Sequence, residues 1–138
     1  MNRKQAGQLV RAAVKAAKRA YCPYSGFPVG AAILVAGGKV FTGCNVENAS
    51  YGLTICAERS VGVSAVSAGH RAFRAVAVAA GKGQPAVPCG ACLQVLAEFG
   101  EPDMPVLLAA LDRPAAFEML RLCDLLPRTF NVKEGLRE

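Results

Sequence analysis

Apolar and polar positions follow two different periods along this chain, and the switches between them divide it into elements. Leu9, Ala13, Ala16, Ala17 and Ala20 recur at helical spacing opposite Arg11, Lys15 and Lys18, which predicts an amphipathic helix over about residues 3–20. Residues 21–28 (Tyr-Cys-Pro-Tyr-Ser-Gly-Phe-Pro) break both periods with two prolines and a glycine and read as a loop. Val29 to Ala36 and Lys39 to Cys44 read as strands of a hairpin, with Gly37-Gly38 as its two-residue turn. Residues 45–54 are polar and irregular. The helical period returns from about Cys56 to Gly69, and Phe73 to Ala80 (FRAVAVAA) is a buried strand. After a loop over 81–87, Pro88 precedes a third helix from about Cys89 to Phe99. Met104 to Ala110 reads as a strand, Asp112-Arg113-Pro114 as a turn, and Phe117 to Leu122 as a last strand. A helical turn over 124–126 follows, and Pro127 begins a tail. The order α-β-β-α-β-α-β, closed by a fifth strand, predicts an α/β protein with one mixed sheet covered by helices.

Composition narrows the class. At 138 residues the chain is expected to form a single domain, 1–138, with a sizeable core. Apolar residues make up 53% and charged residues 19%, which argues against disorder. No run of 18 apolar residues exists, so no membrane span and no membrane partner are expected. Residues 1–5 lead into a mixed helix and not into an apolar export segment. The expected compartment is therefore the reducing cytoplasm, with all six cysteines as thiols.

A net charge of +6 invites a nucleic-acid reading, but its distribution argues otherwise. Arg3, Lys4, Arg11, Lys15, Lys18 and Arg19 precede residue 20, with no acid before Glu47. This reads as one solvated helix face. No aromatic residues are interleaved for base stacking, so no nucleic-acid partner is expected.

The candidate chemistry lies in two short segments, Cys56-Ala57-Glu58 and Pro88-Cys89-Gly90-Ala91-Cys92. The C-x-x-C pair lets Cys89 and Cys92 converge on one ion, and Cys56 supplies a third sulfur. Zinc favours tetrahedral geometry, and a catalytic site keeps three protein ligands with one open position. Glu58 lies two residues from a ligand, where it can face bound water without ligating. Both motifs fall at helix starts, whose partial positive charge favours thiolates. Arg59 follows Glu58 and is placed to hydrogen-bond the sulfurs and withdraw charge from them. Competing readings are plain buried thiols, a redox pair, and a structural four-thiolate site completed by Cys22, Cys44 or Cys123.

Several further motifs surround these: Ala20 to Ser25, Phe27 to Ala32, Gly43 to Tyr51, Cys56 to Arg59, Pro88 to Cys92 and Leu125-Leu126-Pro127. Together they resemble the small, homotetrameric, zinc-dependent cytidine deaminases from Tyr21 to Phe130. Gly26, Leu93, residues 111–123, Arg128 and Thr129 depart from that family's pattern. The resemblance implies a three-layer α-β-α sandwich with a mixed five-stranded sheet. It implies hydrolytic deamination of cytidine and 2′-deoxycytidine in pyrimidine salvage, with Zn²⁺ as cofactor and Cys56, Cys89 and Cys92 as its ligands. Zinc-activated hydroxide would attack C4 while Glu58 shuttles the proton. By the same resemblance Phe27 would wall the pyrimidine pocket, Asn45 and Glu47 would hold the ribose hydroxyls, and the Ala57 N–H would meet the base carbonyl. Tyr51 and Phe130 would serve a neighbouring subunit's site in a homotetramer.

Three rivals predict different residues. A blasticidin-type aminonucleoside deaminase shares the zinc motifs, but Glu47 favours a plain ribose. Polynucleotide deaminases usually carry histidine as first ligand, and the lone histidine, His70, is far from either motif. A non-catalytic zinc module would need a fourth protein ligand and leave Glu58 without a role.

Overall fold

A computed structural model describes residues 1–132. It contains helix α1 (Arg3–Ala17), strands β1 (Val29–Val35) and β2 (Val40–Cys44), a 3-10 turn (Tyr51–Leu53) and helix α2 (Ala57–Ser67). Strand β3 (Phe73–Ala80), helix α3 (Gly90–Phe99), strands β4 (Pro105–Ala109) and β5 (Glu118–Arg121) and the single-turn helix α4 (Leu122–Leu125) complete it. Among the described residues the strands form one sheet in the order β2-β1-β3-β4-β5. β3 and β4 are parallel, and the other neighbours are antiparallel.

The helices divide between the two faces of this sheet because the strand residues alternate. Ala31, Ile33, Val35, Val76, Val78, Val106 and Leu108 pack against Ala57, Val61 and Ala65 of α2 and Leu93 and Leu96 of α3. Ala32, Ala75, Ala77, Ala79, Leu107 and Ala109 pack against Ala6, Leu9, Val10 and Ala13 of α1. Side chains on a strand point alternately to opposite faces, so β3 serves both cores with one sequence. The result is a three-layer α-β-α sandwich with a mixed five-stranded sheet, as expected. Small residues face α1, and the helix sits close. A Cβ on Gly30 would lie 1.9 Å from the Ala13 carbonyl oxygen and 2.4 Å from the Ala17 nitrogen.

A capping box starts α1, with Gln5 N–H donating to Asn2 Oδ1 at 2.8 Å and Asn2 N–H to Gln5 Oε1 at 3.0 Å. The helix ends at Ala17 and not near residue 20, although the apolar period runs on. There the N–H groups of Lys18, Arg19 and Ala20 turn to carbonyls three residues back. Tyr21 is then captured by a bridge to Val46: its N–H donates to the Asn45 carbonyl, and its own carbonyl accepts from the Glu47 N–H. A tertiary contact thus wins over local periodicity, and it lays the 21–28 loop beside residues 45–47. The hairpin forms, but in a register different from the expected one: Leu34 pairs with Val40 and the Val35 N–H donates to the Lys39 carbonyl, so Ala36, Gly37 and Gly38 make a three-residue loop in place of a two-residue Gly37-Gly38 turn. Gly37 and Gly38 are both at φ 96°, a left-handed conformation that other residues rarely adopt and that lets the chain reverse here.

Candidate active site

The start of β1, the end of β2, the end of β3 and the starts of α2 and α3 meet at one end of the sheet. Cys56 and Cys89 occupy corresponding positions: each is the extended residue just before a helix, α2 or α3, and neither side chain caps its helix. Cys92 lies one turn into α3 and is fully buried. The three Sγ atoms lie within 4.8 Å of one another, with Cys89 and Cys92 3.4 Å apart. Ligands at zinc–sulfur distances of about 2.3 Å in a tetrahedron stand roughly 3.8 Å apart, so this spread brackets what one zinc ion requires. Cys22, Cys44 and Cys123 stand outside the group, and among the described residues no histidine or carboxylate joins it.

The electrostatics also fit a cation. The backbone N–H of Cys92 points at the Cys89 sulfur and holds that thiol below its ordinary pKa of 9.0. Burial pushes the Cys92 thiol up, and the Glu58 carboxylate adds to the effect. Glu58 is itself buried, with 5% of its surface exposed, and burial raises it above its ordinary 4.5. Burial thus disfavours charge on Cys92 and Glu58 within the chain alone, and a divalent cation among the thiols reverses that balance and favours thiolates. Arg59 supports the same state, since its Nη2 donates to Cys56 Sγ at 3.7 Å and to the Thr54 carbonyl at 3.3 Å. The charge-withdrawing contact expected of Arg59 is therefore present at Cys56. Its buried Nε has no hydrogen-bond partner among the described residues.

Beside the thiols lies a cavity of about 220 Å³ lined by Phe27, Val29, Asn45, Thr54, Cys56, Ala57, Glu58, Val78, Ala86, Val87 and Cys89. A wider basin of about 340 Å³, lined by Tyr24, Ser25, Glu47, Tyr51 and Thr54, adjoins it at Thr54. The inner cavity is walled largely by apolar side chains with Glu58 and the thiols on one side; the outer basin carries hydroxyls and a carboxylate.

The two polar residues after β2 are already engaged within the chain. Asn45 accepts from the Val29 N–H at 2.9 Å and donates to the Phe27 carbonyl at 3.0 Å, which fixes both residues at the cavity wall. Its amide retains one further N–H and one lone pair. Glu47 accepts from the N–H groups of Tyr24 and Ser25 and from the Ser25 hydroxyl. The Ser25 hydroxyl is the largest of the contacts that hold the Glu47 carboxyl below its ordinary 4.5.

Phe27 and Ala57 line the inner cavity and Tyr51 lines the outer basin. Tyr51 stands edge-on to Tyr24 with ring centroids 5.9 Å apart and is 75% exposed. Phe130 lines neither space and is also 75% exposed, so it does not plug the core of its own chain. Sequence reasoning missed Thr54, Ser25, Tyr24 and Val87. Thr54 stands two residues before Cys56, a spacing that had some power to flag it; the others carry no local signal.

A family model for the zinc-binding region of cytidine and deoxycytidylate deaminases matches residues 3–108. The cytidine deaminase of Sporosarcina psychrophila is 46% identical over 127 residues, 92% of this chain and 92% of its own. A crystal structure of cytidine deaminase from Burkholderia pseudomallei superposes with a TM-score of 0.83 at 48% identity, covering 89% of this chain and 97% of that one. The cytidine deaminase structure from Mycobacterium tuberculosis gives 0.77 at 47% identity, covering 90% and 95%. The matched residues of the family model include both thiol-bearing helix starts, and the chain belongs to the zinc-dependent cytidine and deoxycytidylate deaminase family.

Proposed function

We propose that this protein hydrolyses cytidine and 2′-deoxycytidine to uridine and 2′-deoxyuridine, releasing ammonia. The observation that carries this reading is the buried Glu58 carboxyl beside three clustered thiols at the wall of one cavity. Cys56, Cys89 and Cys92 would hold zinc, whose chemistry when bound is to make water acidic enough to act as a nucleophile near neutral pH.

The chain's own residues then do the following. Glu58 takes a proton from the attacking water and hands it to ring N3, which leaves C4 electron-poor. As oxygen adds to C4, the ring becomes tetrahedral there. Glu58 next takes the proton of the new C4 hydroxyl and passes it to the exocyclic amine; the C4–N bond breaks, the C4 carbonyl forms, and ammonia leaves. A carboxyl whose burial raises its pKa suits this alternation, because the proton it takes up is held more readily than by an exposed carboxylate. Arg59 steadies the thiolate charge. Phe27 and the Ala57 N–H would orient the pyrimidine, while Asn45 and Glu47 would receive the ribose hydroxyls.

A homotetramer with shared sites fits the exposed apolar side chains of Tyr51, Leu53, Val63 and Phe130, which are 62–75% open to solvent in the single chain. A cytoplasmic role in pyrimidine salvage fits six free thiols, and no helix among the described residues is long and apolar enough to cross a membrane. The decisive experiment follows the ultraviolet absorbance of cytidine in the presence of purified protein. Loss of the cytidine band with stoichiometric ammonia supports the assignment; a zinc-loaded, folded protein that leaves cytidine intact overturns it.

A further inference from the structure

Gln94 sits on α3 two residues beyond Cys92. Successive helical residues are about 100° apart, so its side chain leaves the helix on the side away from that buried thiol. It meets the segment that follows α4. Gln94 Nε2 donates to the Phe130 carbonyl at 3.0 Å, and the Phe130 N–H donates to Gln94 Oε1 at 3.3 Å. A primary amide carries donor and acceptor side by side, as does a backbone residue, so the two close a ring of paired hydrogen bonds. The Phe130 backbone is thereby fastened to the helix that carries Cys92 and directly follows Cys89, while its ring remains 75% exposed. A pinned backbone beneath an open aromatic ring is not an arrangement that serves the core of its own chain.

We infer that Gln94 is a positioning residue that presents the Phe130 ring to the active site of an adjoining subunit. The inference rests on the proposed role of Phe130. Both bonds are needed because each alone leaves the segment free to pivot about one contact. Glutamate at position 94 keeps the acceptor but sets a carboxylate oxygen against the Phe130 carbonyl; alanine removes both partners.

The test uses zinc-loaded Gln94→Ala, Gln94→Glu, Phe130→Ala and the double variant Gln94→Ala/Phe130→Ala, with zinc content measured throughout to show the thiol site intact. Gln94→Ala is expected to raise KM for cytidine roughly threefold to tenfold, with kcat within about twofold of the parent. Gln94→Glu shifts KM the same way. In the double variant KM matches that of Phe130→Ala alone, because the clamp has nothing left to present. A second readout is independent of turnover. Tryptic cleavage after the exposed Arg128, followed by mass spectrometry, becomes faster in both Gln94 variants. If Phe130→Ala raises KM while Gln94→Ala matches the parent in KM and in cleavage, the inference is overturned and the role of Phe130 stands. If Phe130→Ala leaves KM unchanged, that role is removed and the inference falls with it. Effects that multiply in the double variant also overturn it.

Discussion

Gly43→Ala separates packing on the catalytic face from packing elsewhere. Gly43 faces α2 from β2, and a Cβ there would lie 2.8 Å from the Val61 nitrogen and 3.1 Å from Ser60 Oγ, where ordinary contact begins at 3.4 Å. The Val61 nitrogen is backbone, so a rotamer change does not relieve it, and α2 must retreat by about 0.6 Å. Overpacking of this kind costs about 1–3 kcal/mol. At roughly 2.1 cal/mol/K of unfolding entropy per residue, that lowers the melting temperature by about 3–10 °C for a chain of this size. The displaced helix begins with Ala57 and Glu58 and follows Cys56 directly. Misplacement by 1 Å can cost a hundredfold in rate, so a shift of this size is expected to lower kcat by roughly tenfold.

Gly30→Ala is the control on the opposite face. Its Cβ would collide with Ala13 and Ala17 of α1 more severely, at 1.9 and 2.4 Å, but α1 carries none of the site. It should melt at least as early as the Gly43 variant, by roughly 10 °C or more below the parent, and keep near-parental kcat at temperatures where it is folded. Thermal melts, zinc content and steady-state cytidine turnover on the two variants decide the matter. A Gly43→Ala protein with parental kcat, or a folded Gly30→Ala protein that loses as much kcat, refutes the reasoning.

Glu58→Gln keeps the side-chain shape but cannot cycle a proton; turnover should fall roughly 10²- to 10⁴-fold with zinc retained, and near-parental turnover would reject the assignment. Cys89→Ala removes one of three sulfurs and should lose zinc and activity together, which metal analysis beside the turnover assay checks. Stripping zinc from the parent with a chelator should lower its melting temperature, since the ion stabilises only the folded arrangement of thiols; an unchanged melt would contradict this. Glu47 is held below its ordinary 4.5, so its anchoring of Tyr24 and Ser25 is complete above that pH and is lost as pH falls through the lower folded value. KM for cytidine should therefore begin to rise only below about pH 4.5 in the parent and at higher pH in Ser25→Ala; identical KM profiles would count against the contact.

The zinc site was legible because its chemistry is local. A C-x-x-C at a helix start and a Cys-x-Glu at another are short motifs, and the helical and strand periods placed both at helix starts without any knowledge of the sheet. The last strand and its turn were also readable from Phe117 to Leu122, trimmed in the structure to Glu118–Arg121. The end of α1 was not readable: nothing local says that Tyr21 will pair with Val46, and the apolar period runs three residues past the helix. Asn45 and Glu47 stood out as polar residues in a loop. Their bonds to Phe27, Val29, Tyr24 and Ser25 depend on two distant loops lying side by side.

By itself the sequence determined which donors exist and which face each element buries, because side-chain type and the periods of 3.6 and 2 are properties of neighbouring residues. Only the tertiary structure decided that β1 lies between β2 and β3 and that β3 runs parallel to β4, which brings the starts of α2 and α3 together. It also decided that Gln94 grips the Phe130 backbone. Contacts between segments far apart in the chain are selected by the joint burial of two sheet faces and the need to pair every buried polar group, and no local window contains both partners.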